Sequence, residues 1–129
     1  MSDGSATLFV RLGGSSKLRD VIDDFVARIF RDVMIGFLFK GKSKERIREL
    51  EYRFAAVHLG APDIQYTGRP LGEAHAASPI SSGHFARRKK ILEETLTDHG
   101  VDPDVIAAWL AHVESLRALV VRPTDACGA

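Results

Sequence analysis

Large apolar side chains recur every three or four residues along most of this chain, and that spacing predicts helices. A first helix is predicted over about 15–32, with Ser15 or Ser16 as its N-cap. Six residues form its inner face: Leu18, Val21, Ile22, Phe25, Ile29 and Phe30. Residues 33–39 form a short, very apolar segment that ends at Lys40 and Gly41.

A second helix is predicted over about 43–59, and a less regular region follows it. The inner face of this helix carries Ile47, Leu50, Phe54, Val57 and His58. Residues 60–70 are rich in glycine and proline and predict a loop. A short helical segment around His75 comes next, and Ser78 and Pro79 interrupt the chain again.

Two more helices complete the predicted fold. The third spans about 82–99, has Phe85, Leu92 and Leu96 on its inner face, and ends at Gly100. The fourth spans about 102–121, with Pro103 in its first turn. Its inner residues are Ile106, Trp109, Leu110, Val113 and Leu116. No segment shows a strand pattern, so the sequence predicts an all-α fold with four principal helices.

Length and composition fit a single domain over 1–129, with an ordered core over about 9–121 and a polar tail over 122–129. The chain is 45% hydrophobic and 27% charged, ordinary values for a globular protein. A formal charge of +1 demands neither nucleic acid nor an anionic membrane as partner. The start of the chain lacks a secretory signal pattern, and no apolar run approaches a membrane span, so we expect a cytoplasmic protein. The single cysteine, Cys127, excludes an internal disulfide and a cysteine-cluster metal site.

His75 is the most informative residue for function. It lies on a short segment between a loop and a long helix, a poor place to bury a histidine for packing. The same place suits an imidazole that reaches a ligand held between longer helices. Taken without any family pattern, His75 is better interpreted as a solvated loop histidine. His58 is expected to be a partly buried helix residue, and His84, His99 and His112 are assigned to helices rather than to a metal.

Several short motifs occur in a recognisable order. They are Arg11-Leu12-Gly13-Gly14, Asp23-Asp24-Phe25 with Ala27-Arg28, Phe37-Leu38-Phe39 with Gly41, Leu59-Gly60 with Pro62, Tyr66-Thr67-Gly68, Glu73-Ala74-His75-Ala76 and His84-Phe85. With these motifs the chain resembles the truncated haemoglobins, the two-over-two helical sandwich of the globin superfamily, and group I most of all. The resemblance covers about Phe9 to Val121.

The resemblance implies a haem b site with His75 as the iron ligand. A neutral imidazole nitrogen is the usual protein ligand of globin-type haem iron. Phe39 would pack flat on the porphyrin, and Leu71 would lie on the His75 side. Four further residues are expected at the cofactor: Phe25, Val26, Ile47 and Phe54.

The opposite, distal side departs from the family pattern. Group I proteins commonly have a tyrosine after the phenylalanine of the first long helix and often a glutamine within the second, but this chain has Val26 and Glu51 there. A carboxylate on an apolar helix face needs a partner or a proton. Arg88 interrupts the inner face of the third helix, so we predict that it meets Glu51 above the haem. The alternative is that Arg88 belongs to a solvated face with its charged neighbours at 87–90.

The resemblance favours a protein that binds oxygen, nitric oxide or carbon monoxide. One alternative is a haem-dependent enzyme, peroxidase-like or a nitric oxide dioxygenase, that uses Glu51 and Arg88; the dioxygenase would also need an external reductase. A second alternative is a non-catalytic sensor or store of a gas ligand. A third alternative is a globin fold that binds no haem, but the presence of His75 and Phe39 argues against it. We expect a monomer or a weak homodimer.

Overall fold

The computed structural model describes residues 7–62, 64–65 and 80–121, and over these ranges the fold is helical. The helices are α1 (Leu8–Leu12), α2 (Gly14–Arg31), a 3₁₀ helix (Gly36–Phe39), α3 (Lys44–Leu59), α4 (Ser82–Asp98), α5 (Pro103–Ser115) and α6 (Arg117–Val120). In the described ranges extended pairing is limited to an isolated bridge between Ile80 and Val121. The all-α prediction is therefore confirmed.

The start of the chain differs from the prediction. Thr7 caps a short helix, α1, because its hydroxyl oxygen accepts a hydrogen bond from the Val10 amide at 3.2 Å. Gly13 then ends α1 and directly precedes α2, with a φ of 128° that favours glycine. The predicted cap at Ser15 or Ser16 is wrong, since both serines already lie inside α2.

Three other helix starts follow ordinary capping chemistry. The side chains of Ser43, Ser81 and Asp102 accept backbone hydrogen bonds at the starts of α3, α4 and α5. The predicted second and third helices are confirmed to within one or two residues. The fourth helix is shorter than predicted, because Leu116 interrupts it and the chain continues as α6.

Helix α2 forms the centre of the packing. It contacts α3 on one side and α4 on another, and α4 in turn packs on α5. Buried residues from all four helices form a single core, which includes Leu18, Phe25, Ala56, Leu92 and Trp109. Trp109 is only 4% exposed and is a core residue. None of the helices that the structure describes is both long and apolar enough to cross a bilayer.

Candidate functional site

Glu51 on α3 and Arg88 on α4 contact each other, as the sequence predicts. An Arg88 terminal nitrogen, Nη2, donates to Glu51 Oε1 at 2.7 Å. About a quarter of each side chain is accessible, 25% for Glu51 and 29% for Arg88. The pair is therefore partly buried, whereas the sequence suggested a more enclosed carboxylate. A charge-assisted bond of this length orders both side chains.

Aromatic and aliphatic side chains surround this ion pair. The Arg88 guanidinium carbon lies 5.0 Å from the centre of the Phe25 ring, within the range of a cation–π contact. Phe25 and its neighbour Val26 are fully buried in the core. Ile47 and Phe54, one turn to either side of Glu51 on α3, are only partly buried. The pair thus lies on an otherwise apolar inner surface.

Arg87, the residue before Arg88, forms an ion pair of its own with Asp32. Its Nε and Nη2 both donate to Asp32 Oδ1, at 3.1 and 2.7 Å, just beyond the end of α2. Successive helical residues point about 100° apart, which agrees with Arg87 meeting Asp32 while Arg88 meets Glu51 on α3. Arg88 is therefore paired with α3 rather than wholly solvated, and its position above a haem stays a prediction.

Asp32 is well suited to hold Arg87. Its side chain is 7% exposed, and its Oδ2 also accepts the backbone amides of Met34 and Ile35 at 3.0 and 3.2 Å. The hydrogen bonds from Arg87 lower the pKa of Asp32 below its ordinary value, against the opposing effect of burial. This contact was not predictable from the sequence pattern, because it joins residues 55 positions apart and neither of them interrupts an apolar helix face.

Phe39, the residue predicted to pack on the porphyrin, is the last residue of the 3₁₀ helix. Its ring stacks on Phe30, with centroids 5.0 Å apart and the planes 24° from parallel. Phe39 and Ile47 pack against the core and, like Phe54, keep accessible surface. Their predicted contact with a porphyrin stays a prediction.

His58 and His112 form a stacked pair at the far end of α3. Their ring centres are 3.6 Å apart and nearly parallel, and the Phe54 ring lies 6.2 Å from His112. The buried Nε2 of His58 has no hydrogen-bond partner among the residues that the structure describes. Burial, and then the neighbouring His112, lower the pKa of His58 to about 4, and burial also lowers the pKa of His112. Both rings are therefore neutral near pH 7, and His58 is partly buried as expected.

The other described histidines have structural partners. His84 meets the edge of Phe37 at 5.4 Å. His99 lies at the end of α4, and its Nε2 is 2.8 Å from Asp24 Oδ2. Within the described ranges no group of three or more histidine, cysteine or acidic residues forms a metal cluster. His75 and Leu71 lie outside the described residues, so their predicted roles stay predictions.

Comparison with known proteins identifies the family. The model of the family described as bacterial-like globin matches residues 7–122. A group 1 truncated hemoglobin of Mycolicibacterium paratuberculosis is 29% identical over 111 residues, which cover 86% of this chain and 81% of that protein. A group 1 truncated hemoglobin from Synechocystis is 30% identical over 106 residues, which cover 79% of this chain and 85% of that protein.

Solved structures show the same fold. Truncated hemoglobin from Tetrahymena pyriformis in its Fe(III) form aligns with a TM-score of 0.84 at 24% identity, over 90% of this chain and 98% of that one. Hemoglobin from Chloroflexus aurantiacus aligns with a TM-score of 0.80 at 24% identity, over 92% of this chain and 100% of that one. Because the family model spans nearly the whole chain and the relatives agree with it, this chain belongs to the bacterial-like globins and is a truncated haemoglobin.

Proposed function

We propose that this truncated haemoglobin carries haem b, with His75 as the iron ligand, and binds oxygen, nitric oxide or carbon monoxide in a pocket that Glu51 and Arg88 border. Family membership implies haem and gas binding in general. The haem supplies an iron atom with one coordination position open to a gas. The 2.7 Å contact between Arg88 and Glu51 supports the distal part of the proposal. We place this activity in the cytoplasm.

The apolar side chains would enclose the porphyrin. Phe39, supported by Phe30 behind it, would pack against the ring, and Ile47 and Phe54 would cover it from α3. Phe25, which contacts Arg88, and the buried Val26 would form the wall of the pocket, and Leu71 would lie on the His75 side. Apolar walls exclude water, so the electrostatic interaction between a polar group in the pocket and a ligand is stronger than it would be in solvent.

Arg88 takes over the hydrogen-bonding role that a tyrosine and a glutamine have in many group I proteins. A guanidinium carries five N–H donors, and the structure commits one nitrogen, Nη2, to Glu51. The remaining donors are available for the negative charge that develops on a bound gas. Glu51 balances the charge of Arg88 and, together with the Phe25 ring, holds its position.

Peroxide-dependent oxidation is a second candidate, because one carboxylate and one cation occupy the same pocket. Glu51 would accept a proton from one peroxide oxygen and return it to the other, while Arg88 stabilises the charge on the leaving oxygen. Nitric oxide dioxygenation would use Arg88 in the same way and would need an external reductase. If neither peroxide-dependent oxidation nor nitric oxide dioxygenation is detected, the alternative is a non-catalytic protein that senses or stores a gas.

Absorption spectroscopy tests the haem site. We expect a Soret band in the wild type and in His84→Ala, and its loss or strong weakening in His75→Ala. His84→Ala is the matched control, since His84 is a histidine with a structural partner of its own, Phe37. A wild-type protein that stays colourless after haemin is added would overturn the proposal.

For the second candidate, the variants are Glu51→Gln and, as a control, Glu49→Gln on the outer side of the same helix. Glu49 pairs with Arg19 and Arg53. We expect Glu51→Gln alone to slow peroxide-driven oxidation of a dye, by about tenfold or more for a lost acid–base group. Equal rates in both variants would remove Glu51 from that role.

A further inference from the structure

Unpaired positive charge is concentrated in one stretch of the described chain, from the end of α2 to the first turn of α3. Five side chains there form no ion pair with any described residue: Arg31, Lys40, Lys42, Lys44 and Arg46. Every other arginine in the described ranges has an acidic partner. These five cations are therefore free to meet an external anion.

Exposed apolar side chains lie in the same stretch. Val33 is 97% exposed, Phe37 61% and Met34 50%. Val10, Val57 and Leu119, the other large apolar residues exposed in the described ranges, are isolated from one another along the chain. We call the eight residues Arg31, Val33, Met34, Phe37, Lys40, Lys42, Lys44 and Arg46 the basic corner. Exposed apolar side chains that lie close together along the chain and are flanked by charged ones suit a protein–protein interface.

The distribution of charge favours an acidic partner. Residues 31–46 hold five cations against Asp32 and Glu45, a formal charge of +3, while the whole chain has only +1 and the remainder therefore −2. Asp32 is already engaged by Arg87, so the accessible charge of the corner is more positive still. An uneven charge of this kind steers and orients an oppositely charged protein as it approaches.

We propose that the basic corner is the docking surface for an acidic one-electron carrier protein, a reduced flavoprotein that returns ferric haem to the ferrous state. The carrier loses one electron and the iron gains it, with no bond made or broken. The inference rests on the proposed haem site. Phe37 and Phe39 belong to the same 3₁₀ helix, so a carrier seated on Phe37 is close to the residue proposed to touch the porphyrin.

Two variants and two matched controls test the surface. Lys42→Glu reverses a charge in the basic corner, and Lys90→Glu makes the same change on the exposed side of α4. Phe37→Ser removes an apolar contact there, and Val10→Ser does so on α1, where Val10 is 62% exposed. The probe is flavodoxin, an acidic flavoprotein. Oxidised flavodoxin is titrated against the globin to measure binding, and its hydroquinone form is mixed with ferric holoprotein in stopped flow to measure haem reduction.

We expect Lys42→Glu and Phe37→Ser each to weaken flavodoxin binding and slow haem reduction about three- to tenfold at low salt, with little change in the controls. The difference in flavodoxin affinity and haem reduction rate between the wild type and Lys42→Glu should become smaller as salt rises. The reason is that exposed charges are screened over about 8 Å at physiological ionic strength. Reduction by dithionite, which needs no docking surface, should be equal in all five proteins.

Equal rates and affinities in the corner variants and their controls would overturn the docking proposal while leaving the haem site intact. A wild type that takes up no haem would instead overturn the proposed function, and flavodoxin binding would still report on the corner. A third experiment measures binding to vesicles of phosphatidylserine and phosphatidylcholine. If Lys42→Glu abolishes vesicle binding and leaves flavodoxin reduction unchanged, the surface serves a membrane and the proposal is wrong.

Discussion

Replacing Asp32 by alanine removes an ion pair that joins the end of α2 to α4. Two Arg87 nitrogens, Nε and Nη2, donate hydrogen bonds to Asp32, and so do the backbone amides of Met34 and Ile35. Water reaches little of this side chain, which is 7% exposed, and so does not restore these bonds fully. Without Asp32, Arg87 loses the ion-pair partner that joins α4 to the end of α2.

The expected cost follows from the bonds that are lost. A hydrogen bond to a charged group contributes about 1.5–3 kcal/mol, and a side chain that caps backbone amides about 1 kcal/mol. Relaxation of Arg87 into solvent recovers part of this. We therefore expect Asp32→Ala to lower the free energy of unfolding by about 3 kcal/mol.

Urea unfolding of the haem-free protein measures this cost, with Asp98→Ala as the control. Asp98 also pairs with an arginine, Arg28 at 2.9 Å, but it is 61% exposed, so we expect a loss below about 1 kcal/mol. Because the folded pKa of Asp32 is lowered, its charge stabilises the fold above pH 3.8, and that contribution is lost as pH falls through the folded pKa. The gap between wild type and Asp32→Ala should therefore narrow below about pH 4. Equal losses in the two variants would refute the anchoring role.

Three further predictions concern the site. In a double-mutant cycle with Glu51→Gln and Arg88→Gln, unfolding should show a favourable coupling of about 1 kcal/mol, and a coupling near zero would mean that the contact does not persist in solution. His58 takes up a proton near pH 6.5 when unfolded but only near 4 when folded, so the unfolding free energy of the wild type should fall as pH drops between those values. His58→Phe should flatten that slope, and an unchanged slope would place the titration elsewhere. Arg88→Leu should speed oxygen release from the ferrous protein in stopped flow, whereas an unchanged rate would place the guanidinium away from the gas.

Helix positions were predictable because the apolar spacing and the capping residues agree. Ser43 and Asp102 mark helix starts in the sequence, and both cap helices in the structure. The short helix α1 was missed, since one turn is too short to show a periodic pattern, and its cap Thr7 has no long apolar run after it. The end of α5 at Leu116 was not predicted, because leucine is an ordinary helix residue.

The candidate site was predictable only in part. Glu51 and Arg88 each interrupt an apolar helix face, and two opposite charges in such positions favour one another as partners. The Asp32–Arg87 anchor and the stacked His58 and His112 depend on how distant helices pack, which spacing along one chain does not encode. Both were visible only in the structure.

The infrared C–O stretch of the ferrous carbon monoxide complex tests the central claim most directly, because it reports the electric field at the gas. Arg88 beside the ligand should lower the stretching frequency, so Arg88→Leu should raise it, while Arg53→Leu on the outer side of α3 should leave it at the wild-type value. Identical frequencies in wild type and Arg88→Leu would show that the Glu51–Arg88 pair does not face the bound gas.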